Sequence, residues 1–148
     1  MRIRRACMDD LDRIVEIEKL CFPEDVLFTR GLFSFLLRNA TALVVCDNDE
    51  IVGFVIGYLT GRTGVIYTID VHPDHRRKGV GSALLGAIER EMQAAGARRF
   101  RLEAAISNTA ALNLYRKAGY VEGEVLRNYY GYGKDAVRLW KEVSNTPP

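Results

Sequence analysis

The run Ile69-Asp-Val-His-Pro-Asp-His-Arg-Arg-Lys-Gly-Val-Gly-Ser-Ala-Leu-Leu85 decides how the rest of the chain is read. Upstream, Val65 to Val71 is rich in Val, Ile, Tyr and Thr, the composition of a strand. Downstream, Val80, Leu84, Ile88 and Met92 recur every fourth residue and lay an apolar stripe along a helix. Between them lie Arg76, Arg77, Lys78, Gly79 and Gly81. A strand that turns into a helix presents free backbone N–H groups at a helix N-terminus, where a partial positive charge suits phosphate. Gly79 and Gly81 remove side chains where a ligand would approach the backbone. The three cations add full charge. The same features also describe a solvated basic loop, and both readings stand at this level. The glycines do not fit the dinucleotide fingerprint, whose third glycine would fall at Leu84, and no P-loop Gly-Lys-Ser/Thr follows at the required spacing.

The chain has 148 residues, a length expected to form one domain over residues 1–143 with a frayed tail at 144–148. Hydrophobic residues make up 48%, enough for a packed core. Charged residues make up 27% and the net charge is +2, which argues against general nucleic-acid binding. Cys7, Cys21 and Cys46 form neither a disulfide framework nor a Cys-x-x-Cys pair, so a reducing compartment, the cytoplasm, is expected. Met1-Arg-Ile-Arg-Arg5 has no apolar run behind it, so no signal peptide is expected. The longest apolar run, Ile51 to Leu59, is too short to span a bilayer.

In chain order, Arg2 to Ala6 reads as a short strand. A helix follows from Asp9-Asp10, with Leu11, Ile14, Val15, Ile17, Leu20 and Cys21 at helical spacing, and ends at Pro23. Asp25 to Arg38 is a second helix with Leu27, Phe28, Leu32, Phe35 and Leu36 inward. Thr41 to Asp47 and Ile51 to Thr60 form a hairpin around Asp47-Asn-Asp-Glu50. After Val65 to Val71 comes the helix Val80 to Ala95, stopped by Gly96. Arg99 to Ile106 alternates, with Phe100, Leu102, Ala104 and Ile106 on one face and Arg99, Arg101 and Glu103 on the other. Asn108 to Ala118 is a helix between an Asn cap and Gly119, and Tyr120 to Leu126 and Ala136 to Glu142 close the chain as strands. The order β-α-α-β-β-β-α-β-α-β-β predicts an α/β (α+β) fold: a mixed sheet with helices on both faces.

Arg76-Arg-Lys-Gly-Val-Gly-Ser82, after Ile69-Asp-Val71, resembles the acetyl-CoA signature of the GNAT superfamily of N-acetyltransferases. The resemblance implies a seven-stranded, mostly antiparallel sheet with a splayed cofactor cleft. It implies that Arg76, Arg77, Lys78, Gly79, Val80, Gly81 and Ser82 hold the pyrophosphate of acetyl-CoA, and that the backbone of Ile69, Asp70 and Val71 holds the pantetheine arm. Leu102-Glu-Ala-Ala-Ile-Ser-Asn108 is similar to the Leu-Glu-Val-Arg-x-Ser-Asn segment of RimI-like N-terminal acetyltransferases, with Ala104-Ala105 departing from it. That likeness makes Glu103 the general base; by its position alone, Glu103 is a solvated carboxylate or one paired with Arg99 or Arg101. Tyr115, in Leu114-Tyr-Arg-Lys-Ala-Gly-Tyr120, resembles the family's general acid, although an aromatic on an amphipathic helix also reads as core. Asn108 and Asn113 share that helix and are implied cofactor contacts; the residue pattern gives Asn108 a capping role.

Leu20-Cys-Phe-Pro-Glu-Asp25 resembles the substrate loop of archaeal and eukaryotic N-terminal acetyltransferases, which implicates Phe22, Pro23 and Glu24 in substrate binding. Glu24 also reads as an exposed carboxylate after a helix stop. Tyr129 and Tyr130, in Arg127-Asn-Tyr-Tyr-Gly-Tyr-Gly-Lys-Asp-Ala136, resemble a peptide-clamping hairpin in which Lys134 replaces the usual Glu. Clustered tyrosines also rim dimer interfaces. The implied acceptor is a protein or peptide N-terminus, met alone, at the ribosome or within a complex, by a monomer or a homodimer. Lysine or small-amine acetylation and a non-catalytic acetyl-CoA-binding module remain as alternatives. No cysteine stands beside a His, which disfavours an acetyl-cysteine route. His72 and His75 lack further ligands, so no metal is expected.

Overall fold

The computed structural model describes residues 1–22 and 30–143. Its strands are β1 (Arg2–Arg5), β2 (Thr41–Asp47), β3 (Glu50–Thr60), β4 (Thr63–Val71), β5 (Arg99–Ala105), β6 (Val121–Leu126) and β7 (Ala136–Glu142). Its helices are α1 (Leu11–Cys21), α2 (Arg30–Asn39), α3 (Val80–Ala94) and α4 (Thr109–Lys117). The seven strands lie in the order β1-β2-β3-β4-β5-β7-β6. Every neighbouring pair is antiparallel except β4 and β5.

Alternation along the central strands sorts the core into two layers. Leu43 and Val45 of β2, with Val52 and Val55 of β3, meet Val80, Leu84, Ile88 and Met92 of α3 and Leu112 and Tyr115 of α4. Ala42, Val44 and Cys46, with Phe54 and Ile56, meet Leu11, Ile14 and Ile17 of α1 and Phe33 and Leu36 of α2. The four-residue spacing on α3 is therefore a wholly buried stripe. The β2–β3 hairpin turns on Asn48 and Asp49, both at positive φ (51° and 67°), the two-residue geometry that Asn and Asp tolerate.

Three expectations are corrected. The start of the second helix, with Leu27 and Phe28, lies outside the described residues. Within the described part, Phe35 is exposed and Phe33 takes the inward place, because Phe33 is in phase with Leu36. Leu20 is exposed as well, one position off the stripe that ends at Cys21. β5 stops at Ala105, so Ile106 falls in a turn, exposed and no longer part of the inward alternation.

Candidate active site

β4 and β5 pair only where they begin, at Thr63 with Arg99, Gly64 with Phe100 and Val65 with Arg101. Beyond Val65 they diverge, while β4 stays bonded to β3 through Val71 and β5 to β7 through Ala105. The result is a cleft walled by two strand edges that no longer bond to each other. Ile69 and Val71 pack toward the α3 layer.

The cleft opens onto the turn into α3. Arg77 (φ 64°) and Gly79 (φ 78°) both adopt the left-handed region, which curls the chain into the helix. Gly79 is the N-cap and offers no side-chain cap, so the first N–H groups of α3 are left for an external acceptor. Arg76, Arg77 and Lys78 are exposed around them, and Ser82 is exposed on the first turn. The two glycines act differently from the expectation that both clear space for a ligand. A Cβ on Gly79 would meet nothing, and its backbone angle is what demands glycine. A Cβ on Gly81 would lie 3.1 Å from Leu114 Cδ2, so Gly81 lets α4 approach α3. Arg76 Nε donates to the Val71 carbonyl at 3.3 Å, and Cys21 Sγ donates to the same oxygen at 3.3 Å. A depression of about 260 Å³ beside this turn, between Gly86, Lys117 and Lys141, lies outside the β4–β5 opening.

Tyr115 is buried beneath the cleft (6% exposed), its ring 6.2 Å from that of Tyr120. Burial raises its phenol well above the ordinary tyrosine range, with the charges of Tyr130 and Asp70 adding to the effect. Tyr115 therefore holds its proton at neutral pH. Tyr120 is fixed by a 2.7 Å hydrogen bond to Glu89, which also accepts from Lys141. Asn108 caps α4, its Oδ1 accepting from Ala111 N at 3.1 Å, and Asn113 is exposed on the same helix.

Glu103 points from β5 into a cationic and phenolic cage. Its Oε2 accepts from Arg138 Nε at 3.2 Å and lies 3.4 Å from Arg101 Nε; its Oε1 accepts from Tyr129 OH at 3.3 Å. Tyr130 OH donates to the Glu103 carbonyl at 3.3 Å. The Tyr129 and Tyr130 rings meet edge to face, 4.9 Å apart. Arg138 stands directly opposite Glu103 in the β5–β7 register, and Arg99 instead lies over Trp140. Glu103, Tyr115, Tyr129 and Tyr130 are thus gathered at the cleft. Phe22 is described as the residue after α1, while Pro23 and Glu24 lie outside the described residues.

Sequence reasoning missed Arg138, Glu18 and the side chain of Asp70. Glu18 (4% exposed) and Asp70 (2% exposed) are buried against each other between α1 and β4. Ile14, Glu18 and Cys21 share one helical stripe, so a carboxylate at an apolar position was the available signal. Among the described residues no group of acids, His and Cys is arranged to hold a metal, and no helix is long and apolar enough to cross a membrane.

The acetyltransferase (GNAT) family matches residues 11–120. The chain is 32% identical to an N-alpha-acetyltransferase of Sulfurisphaera tokodaii, over 91% of this chain and 89% of that one. It is 31% identical to an N-alpha-acetyltransferase of Saccharolobus solfataricus, over 90% and 88%. Its fold matches the crystal structure of the ribosomal-protein-S18-alanine N-acetyltransferase from Escherichia coli with a TM-score of 0.87 and 26% identity, over 99% of this chain and 96% of that one. The divergent β4–β5 pair, the uncapped α3 turn and these likenesses agree: the chain belongs to the GNAT family of acetyltransferases.

Proposed function

We propose that this acetyltransferase moves an acetyl group from acetyl-CoA to the α-amine of a protein or peptide N-terminus, by direct attack with both substrates bound. The observation that carries the reading is the wall of Tyr129 and Tyr130, tied to Glu103 beside the cleft that Tyr115 floors. Paired aromatics with polar tips suit an extended peptide better than a small polar amine.

The residues present fit the donor. The free N–H groups of the first turn of α3, at Val80, Gly81 and Ser82, together with Arg76, Arg77 and Lys78, would hold its pyrophosphate. The edge of β4 that β5 leaves unpaired at Ile69, Asp70 and Val71 would take the pantetheine arm, with Asn108 and Asn113 of α4 as further contacts. Bound acetyl-CoA supplies a thioester whose carbonyl carbon accepts the nitrogen and whose sulfur leaves. Tyr115 protonates that sulfur. A phenol of ordinary pKa about 10 transfers a proton to a thiolate of about 8.5 only in direct contact, and burial of Tyr115 keeps that proton in place until the contact forms. Glu103 takes a proton from the attacking nitrogen through a water, since both of its oxygens already have protein partners. Phe22, Pro23 and Glu24 stand for the rest of the acceptor site.

The test is CoA release with acetyl-CoA and short peptides that vary the first residue, beside blocked peptides carrying one free lysine. Turnover confined to free N-termini is expected, and turnover confined to lysine overturns the reading. Tyr130→Ala is expected to lower kcat/KM for peptides about tenfold while sparing small amines.

A further inference from the structure

The Glu18–Asp70 pair is costly, and among the described residues no cation forms an ion pair with it. Ile69 and Val71 face α3, so alternation turns Asp70 toward α1, the side away from the α3 core. Thr68 Oγ1 donates to Asp70 Oδ1 at 3.1 Å. Asp70 Oδ2 and Glu18 Oε2 are buried without a donor among the described residues. Glu18 and Asp70 are buried together between α1 and β4, where a proton shared between them relieves the repulsion of two carboxylates and leaves one negative charge on the pair. The groups around them are the Cys21 thiol from α1, the Thr68 hydroxyl from β4, the Arg76 guanidinium from the turn and the Tyr115 phenol from α4. Burying two acids this way costs more than an apolar pair of similar size would. Packing α1 on β4 does not need them. Asp70 sits between Ile69 and Val71, the two residues whose backbone lines the cleft, and Glu18 meets it from α1.

An α-ammonium has three protons on nitrogen and the product amide has one, so two must leave. We propose that Glu18 and Asp70 form the acceptor-amine subsite and that their shared negative charge holds the ammonium and takes its first proton. The inference rests on the Nα reading above. One N–H bond breaks before attack, and its proton passes to the pair. As the C–N bond forms, the second proton passes through water to Glu103. The C–S bond breaks and sulfur takes the Tyr115 proton, which Glu103 restores. The pair then releases its proton to solvent, so one ammonium and one thioester yield one amide, one thiol and one proton. The cage at Glu103 and the bare pair at Asp70 have different environments because they remove different protons.

The experiment measures kcat/KM against pH for a free N-terminal peptide at saturating acetyl-CoA, with acetyl-CoA affinity measured by calorimetry. The proteins are the parent, Asp70→Asn, Glu18→Gln and Glu103→Gln. Asp70→Asn and Glu18→Gln are each expected to lose about tenfold at pH 7, the factor by which the neutral amine falls short there. They should regain most of it as pH passes the amine's own pKa of about 7.7–8.0, where solution delivers the neutral amine. Acetyl-CoA affinity should be unchanged in both, and Glu103→Gln should show no alkaline recovery. A parental profile, or a loss equal at every pH, overturns the proposal. A blocked peptide carrying one free lysine is assayed beside the free N-terminal peptide: a parent that acetylates only the blocked peptide overturns the Nα reading, an outcome distinct from an unchanged pH profile in the variants. Should both variants fail to fold, the infrared spectrum of the parent decides: a protonated buried carboxyl at neutral pH is expected, and its absence overturns the pair.

Discussion

Two acid sites flank the cleft, and they are built in opposite ways. Glu103 is an acid with too many partners: two guanidiniums, a tyrosine hydroxyl and a fixed place in the β5–β7 register. Among the described residues, Glu18 and Asp70 have almost none beyond each other and Thr68. The first arrangement fixes where a carboxylate points. The second changes how readily a carboxylate holds a proton, since burial raises both groups above the ordinary range and outweighs the lowering of Asp70 by Arg76. Orientation and basicity are separable properties, and this fold assigns them to different residues on different elements.

The strongest way to break the comparison is the double variant Asp70→Asn with Glu103→Gln. If the two sites remove different protons, losses of about tenfold for Asp70→Asn and about 100-fold for Glu103→Gln multiply to about 1,000-fold in single-turnover rate at neutral pH. If they serve the same proton, the double variant is no slower than the worse single one. A milder probe is Arg138→Gln, which leaves Glu103 held by Tyr129 and Arg101 alone. We expect about a tenfold fall in kcat with little change in KM, because a displaced group costs rate more than binding. Tyr129→Phe removes one hydrogen bond of 3.3 Å from the same carboxylate, and a loss of about threefold is expected from the same measurement.

Much of this was legible in the chain. The stripe from Val80 to Met92, the Asn108 cap, Gly119 at φ 99° and the two hairpins all follow from local rules that the folded protein obeys. The turn from Arg76 to Ser82 was legible because it is contiguous. What was not legible crosses space. Pairing Glu103 with Arg101 is readable on one strand, but Arg138 is set by strand register. Glu18 reads as a polar interruption of a helix face until β4 brings Asp70 to it. Phe35 shows a lesser failure: two neighbouring aromatics on a short helix are nearly equivalent by composition, and only the phase relative to Leu36 picks Phe33.

The smallest effect is on stability, and its sign separates the buried pair from a well-paired acid elsewhere in the same protein. Asp10 accepts two hydrogen bonds from Arg4 (2.8 and 2.9 Å) and one from Cys7 N at 2.8 Å. The Arg4 contact lowers its pKa, so the folded state binds fewer protons there than the unfolded state. That contribution is complete above pH about 3.9 and is lost as pH falls below it. Glu18 and Asp70 behave the other way. Their unfolded values are about 4.3 and 3.9, and their folded values are raised, mainly by burial. Between those limits the folded state binds more protons than the unfolded one, so stability is complete below pH about 4 and declines as pH climbs through neutrality. Glu18→Gln removes the shared titration. Its melting temperature should therefore fall less than the parent's between mildly acidic and mildly alkaline buffer, by roughly 2–4 °C for each kcal/mol of linkage removed. Arg4→Gln should leave that alkaline slope intact and change the acid side alone. Parallel slopes for the parent and Glu18→Gln in thermal melts would mean that the pair carries no shared proton, and the acid on the α1 side would then be a packing feature with no part in the cleft's chemistry.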